Sequence, residues 1–140
     1  VKAPLRSIDE PVRWMIADQR GAKVETGEHG WLRIMDVPVV LAARTYAAAG
    51  SFVVRVTDPL GFADGTWMLS VDESGRAEVT VADSPADVTL TVNALSSIVL
   101  GGVAATTLRA AGVVVGDESV TVALDAVFAS PQTPYLSLWY

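Results

Sequence analysis

The sequence contains no cysteine, which removes disulfides, thiol nucleophiles and zinc–thiolate sites together. It has a single histidine, His29, so a metal site built on several imidazoles is not expected either. No apolar run approaches the roughly 20 residues that a membrane span needs, and the first residues lack the pattern of a signal peptide. We therefore expect a cytoplasmic protein without a bound metal and without membrane contact.

Basic residues are also scarce, since 10 Lys and Arg face 16 Asp and Glu, for a net charge of −6 at pH 7. Such a chain repels nucleic acid and anionic membrane surfaces and weakly favours cationic partners. Hydrophobic residues make up 51% and charged residues 19%, which is typical of a globular chain, and 140 residues suit one domain. Because the chain begins with Val1 and not methionine, we interpret it as an excised piece of a longer protein.

Turn and capping signals divide the first third of the chain. Ser7 and Glu10 have the spacing of a capping box, which predicts a helix ending at residues 18–21. Residues 22–25 and 31–35 can pair as a hairpin across a glycine-containing loop. A second helix, capped by Asp36, is expected to run to about Tyr46.

Strict alternation of apolar and polar residues marks the middle of the chain as β structure. The predicted strands are residues 52–56, 67–71, 77–81 and 88–92. Helices follow, one capped by Asn93, then a short turn at 106–111, and a last helix capped by Asp117. This order predicts an α+β fold: a five-stranded, largely antiparallel sheet with helices packed on one face.

The chain ends in an apolar, aromatic segment, residues 134–140, which carries the terminal carboxylate on Tyr140. Each large ring removed from water contributes roughly 1.5–3 kcal/mol, so we expect this segment to be buried against something. Burial would also raise the pKa of the carboxylate, because it disfavours the charged form.

Other candidate chemical groups have a plain structural interpretation beside the functional one. His29 lies next to a glycine and is interpreted as an exposed turn residue. Asp58 and Asp64 could be acidic ligands at the sheet edge, but both occur in sequences typical of turns. Glu25 and Glu28 are either solvated loop charges or groups that attract a cationic substrate.

Four segments together resemble one known family. They are residues 31–47 (WLRIMDVPVVLAARTYA), 56–67 (VTDPLGFADGTW), 100–112 (LGGVAATTLRAAG) and 124–130 (LDAVFAS). They are similar to the C-terminal third of the Eis (enhanced intracellular survival) acetyltransferases, which join two GCN5-related acetyltransferase folds to a sterol-carrier-like domain. The resemblance implies that residues 1–21 leave the preceding acetyltransferase domain and that residues 22–140 form the sterol-carrier-like domain.

The same resemblance implies a role for the chain end. In Eis-type enzymes the terminal carboxylate of an aromatic last residue reaches the acceptor pocket and helps to take a proton from the substrate amine. Carried over, Tyr140 supplies the general base, and Trp139, Glu28 and Glu25 border the pocket for a cationic amine such as a polyamine or aminoglycoside. Acetyl-CoA would bind the parent protein, and this fragment itself would bind no cofactor. Its partners would be the preceding acetyltransferase domains of the parent and further copies of the chain, since the family forms hexamers.

Two other functions fit the sequence. A sterol-carrier-like fold could hold a lipid or sterol between its sheet and helices. The domain could also be a purely structural module that holds the oligomer of its parent together.

Overall fold

The computed structural model describes residues 4–27 and 30–138, which fall into two units. One unit comprises residues 4–31 and 132–138, and the other comprises residues 32–131. No helix among the described residues is long and apolar enough to cross a membrane.

The first unit contains little regular structure. It has one short helix, α1 (Val12–Met15), and a 3-10 turn (Gln19–Gly21). The predicted capping box is wrong: Ser7 Oγ accepts a hydrogen bond from the N–H two residues later (3.2 Å), and the Glu10 carboxylate pairs with the Arg6 guanidinium. The helix α1 begins after Pro11, whose side chain has no hydrogen-bond acceptor to cap it, and it lasts one turn.

The second unit contains one five-stranded sheet. Its strands are β1 (Gly50–Thr57), β2 (Gly65–Val71), β3 (Ala77–Val81), β4 (Val88–Thr91) and β5 (Val114–Gly116). Their order across the sheet is β3-β2-β1-β4-β5, with β1 and β4 parallel and every other neighbouring pair antiparallel. The predicted α+β fold with a largely antiparallel five-stranded sheet is therefore confirmed.

Four helices accompany this sheet: α2 (Val37–Ala43), α3 (Val92–Ile98), α4 (Ala105–Ala110) and α5 (Glu118–Phe128). The core lies between them and one face of the sheet, because the alternating apolar residues of the strands are buried there with the inner helix residues. The most deeply buried of them include Leu41, Val56, Leu69, Leu95 and Leu124. The predicted division into a covered face and a wet face thus agrees with the core for β1, β2 and β4, whereas Val81 at the end of β3, predicted to be covered, is 73% exposed.

The fifth strand differs from the predicted one. Residues 22–27 and 30–36 form no strand, so the predicted hairpin is wrong. Ile34 is buried, and its backbone N–H donates to Ser96 Oγ (3.2 Å) instead of to a neighbouring strand. The edge position in the sheet is taken by β5, which is too short to show a clear alternation of residues.

The helices α2 and α3 each differ from the prediction at one end. As predicted, Asp36 caps α2 through the N–H of Val39 (3.0 Å), but α2 ends before Tyr46, whose N–H donates to the Gly75 carbonyl (2.9 Å). The helix α3 is capped by Thr91 and not by the predicted Asn93, since the Thr91 side chain accepts a hydrogen bond from the Ala94 N–H (3.2 Å).

Arg44 joins the ends of two helices. Its guanidinium lies 4.5 Å from the ring centroid of Tyr46 and 4.8 Å from that of Phe128. It donates to the backbone carbonyls of Val99, just after α3, and of Phe128, the last residue of α5 (3.2 Å for the latter). One cation therefore satisfies helix-end carbonyls that the helices themselves leave without partners.

Gly101 provides a test of how tightly the end of α3 packs. It has φ +77°, and a Cβ there would lie 2.6 Å from the Phe128 carbonyl oxygen and 2.7 Å from Ser130 Cβ. Gly112 also has a left-handed φ, +74°, but a Cβ there would meet nothing within 4 Å.

We expect Gly112→Ala to lower the free energy of unfolding by roughly 1–2 kcal/mol, the cost of the left-handed backbone alone. Gly101→Ala should lower it by roughly 1–3 kcal/mol more, because the added methyl group also overpacks the Phe128–Ser130 turn. Urea unfolding of both variants measures the difference. Equal losses in the two variants would contradict this packing at residue 101.

Candidate functional site

Most of the predicted site residues fall outside the described part of the chain. Tyr140, Trp139 and Glu28 lie outside the described residues, and so does His29. Glu25 is described: it is exposed, and its carboxylate lies 3.0 Å from the ammonium of Lys23. Glu25 thus has the geometry of a solvated loop charge, and its role as a substrate contact stays a prediction.

The tail that leads to Tyr140 has an exposed apolar surface. Residues 133–138 have no regular secondary structure, and the Thr133 N–H donates to the Asp9 carboxylate (2.6 Å) within the first unit. Beyond this anchor Tyr135, Leu136 and Leu138 are all exposed, Leu138 at 68%. The expected burial of the tail is therefore not provided by the described residues of this chain.

The N-terminal segment of the same unit is equally uncovered. Trp14 is 74% exposed, Met15 79% and Trp31 84%, and no residue of α1 is buried. Large exposed rings at this density are uncommon on a monomer, where apolar patches usually mark sites of contact. The first unit therefore presents apolar surface suited to contact with another protein surface.

Carboxylates order the loop between β1 and β2. The buried Asp58 side chain accepts from the N–H groups of Leu60 and Ala63 (both 3.0 Å) and from the Arg33 guanidinium (2.5 Å). Asp64 in turn accepts from the N–H of Asp58 (3.2 Å). Both carboxylates are thus used to hold the loop, in line with their interpretation as turn residues.

The surroundings of these two carboxylates favour their charged forms. Burial alone would raise the pKa of Asp58, but the hydrogen bonds from Ala63 and Leu60 and the Arg33 charge outweigh it and lower that pKa. For Asp64, the hydrogen bond from the Asp58 backbone and the Arg55 guanidinium, whose Nη2 lies 2.8 Å from Oδ1, lower the pKa. Neither group is poised to act as a base near neutral pH.

A pocket of about 280 Å³ opens among the ends of α3, α4 and α5. Ile98 and Phe128 contribute apolar walls, and Asp125 is its acidic group. The Asp125 carboxylate is engaged, since it accepts from the Ala105 N–H and the Thr106 hydroxyl (both 2.5 Å). Its volume lies near the lower end of the usual range of about 300–1,000 Å³ for small-molecule sites, and the lipid-carrier interpretation stays a prediction.

Metal chemistry has no candidate site in the described ranges. Within residues 4–27 and 30–138, no group of three or more His, Cys, Asp or Glu side chains could hold a metal ion.

The Asp58 network predicts how stability depends on acid. Because the folded-state pKa of Asp58 lies below the unfolded value of about 3.9, its contribution is present above that pH and is lost as pH falls through the folded pKa. Asp58→Asn should lower the melting temperature near pH 7 and show a weaker loss of stability below about pH 4 than the wild type.

Thermal unfolding followed by circular dichroism between pH 2.5 and 7 measures this. Asp83→Asn, which changes an exposed carboxylate in the loop after β3, is the matched control and should keep the wild-type melting temperature near pH 7. An Asp58 variant that melts at neutral pH like this control would contradict the role of the network.

Comparison with known proteins assigns the family. Residues 37–137, more than half of the chain, match the sterol carrier protein domain family. Among curated relatives, an uncharacterized N-acetyltransferase of Streptomyces coelicolor is 35% identical over 133 residues, which are 94% of this chain and 32% of the relative. The N-acetyltransferase Eis of Mycobacterium tuberculosis is 36% identical over 126 residues, 86% of this chain and 30% of that protein.

Solved structures give the same result. Eis1 from Mycobacterium abscessus superimposes with a TM-score of 0.81 at 31% identity, covering 95% of this chain and 34% of that one. A GCN5-related N-acetyltransferase from Kribbella flavida gives 0.76 at 27% identity, with 96% and 35% covered. This chain spans about a third of the length of these relatives. The chain belongs to the sterol carrier protein domain family, in the form found in Eis-type N-acetyltransferases.

Proposed function

We propose that this chain is the C-terminal, sterol-carrier-like part of an Eis-type, acetyl-CoA-dependent N-acetyltransferase. In that enzyme it would shape the pocket for the amine acceptor and supply the Tyr140 carboxylate as general base. The family and the acetyltransferase relatives, about three times as long as this chain, support the proposal. The observation that carries it is the exposed apolar tail that leads to Tyr140.

The tail has the chemistry of a segment that docks into another fold. Tyr135, Leu136 and Leu138 are exposed, and covering them would release their hydration water at a gain of about 25 cal/mol per Å². Thr133 is held by Asp9, so the seven residues beyond it reach at most about 25 Å. The Tyr140 carboxylate must therefore act within that distance of the anchor.

A main-chain carboxylate in such a place can serve as a base. In water its pKa is roughly 3.5, which makes it a weak acceptor for the proton of an ammonium group. Desolvation between the rings of Trp139 and Tyr140 would raise that pKa, and the bound geometry would offset the remaining mismatch. The amine, once neutral, would then attack the thioester carbon of acetyl-CoA, so that the C–N bond forms, the C–S bond breaks and the CoA thiolate leaves and takes up a proton.

The remaining groups would serve recognition and assembly. Trp139 would border the acceptor amine, and Glu28 and Glu25 would attract it as a cation, in keeping with the net charge of −6. Residues 1–21 would connect to the preceding acetyltransferase domain, which would bind acetyl-CoA. The parent would be a cytoplasmic homo-oligomer whose acceptors are polyamines or aminoglycosides.

The position of the carboxylate is tested in the full-length parent enzyme. Deleting Tyr140, or adding one glycine after it, moves the carboxylate by about 3.5 Å along the chain. Each change should reduce kcat/KM for the amine by at least about 100-fold, the contribution typical of a positioned general base. The KM for acetyl-CoA should stay unchanged.

Tyr140→Phe is the matched control, because it keeps both the carboxylate and an aromatic ring at the end. It should retain wild-type turnover within about threefold, since the phenol is not used. Turnover that survives the deletion and the added glycine would remove the catalytic role of residue 140.

A further inference from the structure

The loop between β1 and β2 presents large apolar side chains to solvent. Leu60 is 66% exposed and Phe62 62% exposed at its tip. Both side chains belong to one loop, whose base is held by the contact between Arg33 and Asp58. We call Leu60 and Phe62 the loop patch.

The loop that carries these exposed side chains is ordered. Asp58 holds the N–H groups of Leu60 and Ala63, and Ala63 is buried in the core. Gly61, with φ +79°, makes the turn between them and donates to the Asp58 carbonyl (2.9 Å). Since both ends of the tip are fixed, Leu60 and Phe62 are held outward, so little conformational entropy would be lost if they were covered.

The size of the loop patch indicates what kind of surface covers it. Two partly exposed side chains offer on the order of 250 Å², whereas free partners that associate stably bury about 800 Å² each. A second copy of the chain would therefore not be held by this patch alone. A fold on the same polypeptide would be held by this patch, because tethering supplies an effective concentration in the millimolar range.

We propose that the loop patch docks against the acetyltransferase part of the longer parent chain. Relatives that match 94% and 95% of this chain continue for about twice its length beyond the match, which provides such a tethered fold. The identity of the partner rests on the proposed function. The loop patch belongs to the unit of residues 32–131 and the tail to the other unit, so each can be varied without changing the other.

The charges around the loop patch suit such a contact. Arg33 and Arg55 keep about a third of their side chains exposed, and their carboxylate partners Asp58 and Asp64 fix them at the edge of the apolar surface. An apolar centre with arginines at its polar margin is the usual composition of an interdomain or intermolecular contact.

The test removes the patch in the full-length parent and in the 140-residue chain. The double variant Leu60→Ser/Phe62→Ser should leave the melting temperature of the 140-residue chain unchanged, because both side chains are exposed there. In the parent, the same variant should speed the proteolytic release of a fragment containing residues 32–131 by about tenfold, since cleavage follows the undocked population.

The matched control is Val39→Ser/Val122→Ser, which removes two exposed apolar side chains from α2 and α5 of the same unit. It should leave the release rate of the parent unchanged. Equal release rates in the two double variants would overturn the proposal, and so would a lower melting temperature of the 140-residue patch variant. Protection of the fragment that increases with protein concentration would also overturn it, because it would identify a second copy as the partner.

These outcomes are independent of the role of Tyr140. If the patch variant releases its fragment faster while deletion of Tyr140 leaves turnover intact, the docking stands and the proposed general base fails. If turnover collapses on deletion of Tyr140 while the patch variant resists protease like the control, the docking at the loop patch fails alone.

Discussion

The helices α2, α3 and α5 of the larger unit are linked through one half-buried cation, Arg44. Arg44 donates to the carbonyl of Val99 beyond α3 and to that of Phe128 at the end of α5, so two helix C-termini meet at one guanidinium. Burial lowers the pKa of Arg44 and raises that of Tyr46, and the Arg44 charge partly opposes the shift on Tyr46. The Tyr46 hydroxyl donates to the Leu41 carbonyl (2.8 Å), which ties α2 to the same point. Helices that share no hydrogen-bonded ladder are thereby joined through side-chain to backbone contacts.

The acidic residues of this unit show a second constraint. Asp58 and Asp64 hold the β1–β2 loop, Asp72 accepts from the Ser74 and Arg76 N–H groups in the β2–β3 turn, and Asp125 accepts from α4. For Asp58, Asp64 and Asp72, the hydrogen bonds outweigh the effect of burial and lower the pKa, so these three carboxylates are poor bases near neutral pH. Asp58, Asp64, Asp72 and Asp125 thus hold loops and turns, and none of them is part of the proposed catalytic chemistry.

The sequence predicts the parts of this fold that are set locally. Alternation locates β1 to β4 because one face of each strand is covered, and the side chain of Asp36 caps α2 whatever lies around it. One failure is local, because Arg6, four residues before Glu10, pairs with the Glu10 carboxylate. Two others have tertiary causes: the Ile34 N–H donates to Ser96 Oγ, and β5 is defined only by its pairing with β4. The candidate site is harder still to predict, because an exposed apolar side chain such as Trp14 is of the same residue type as those in the core. The sequence does not show which apolar side chains the fold leaves exposed.

The tail and the loop patch lead to a common conclusion about assembly. They lie in different units, each is apolar, and each is too small to hold a free partner strongly. If one tethered fold covers both, the second contact forms at high effective concentration once the first is made, so the two reinforce each other without any new contact. In that case the loop patch would fix the larger unit on the acetyltransferase fold, and the tail beyond Thr133 would place the Tyr140 carboxylate. Under the proposed function, this domain would position the chemistry of its neighbour.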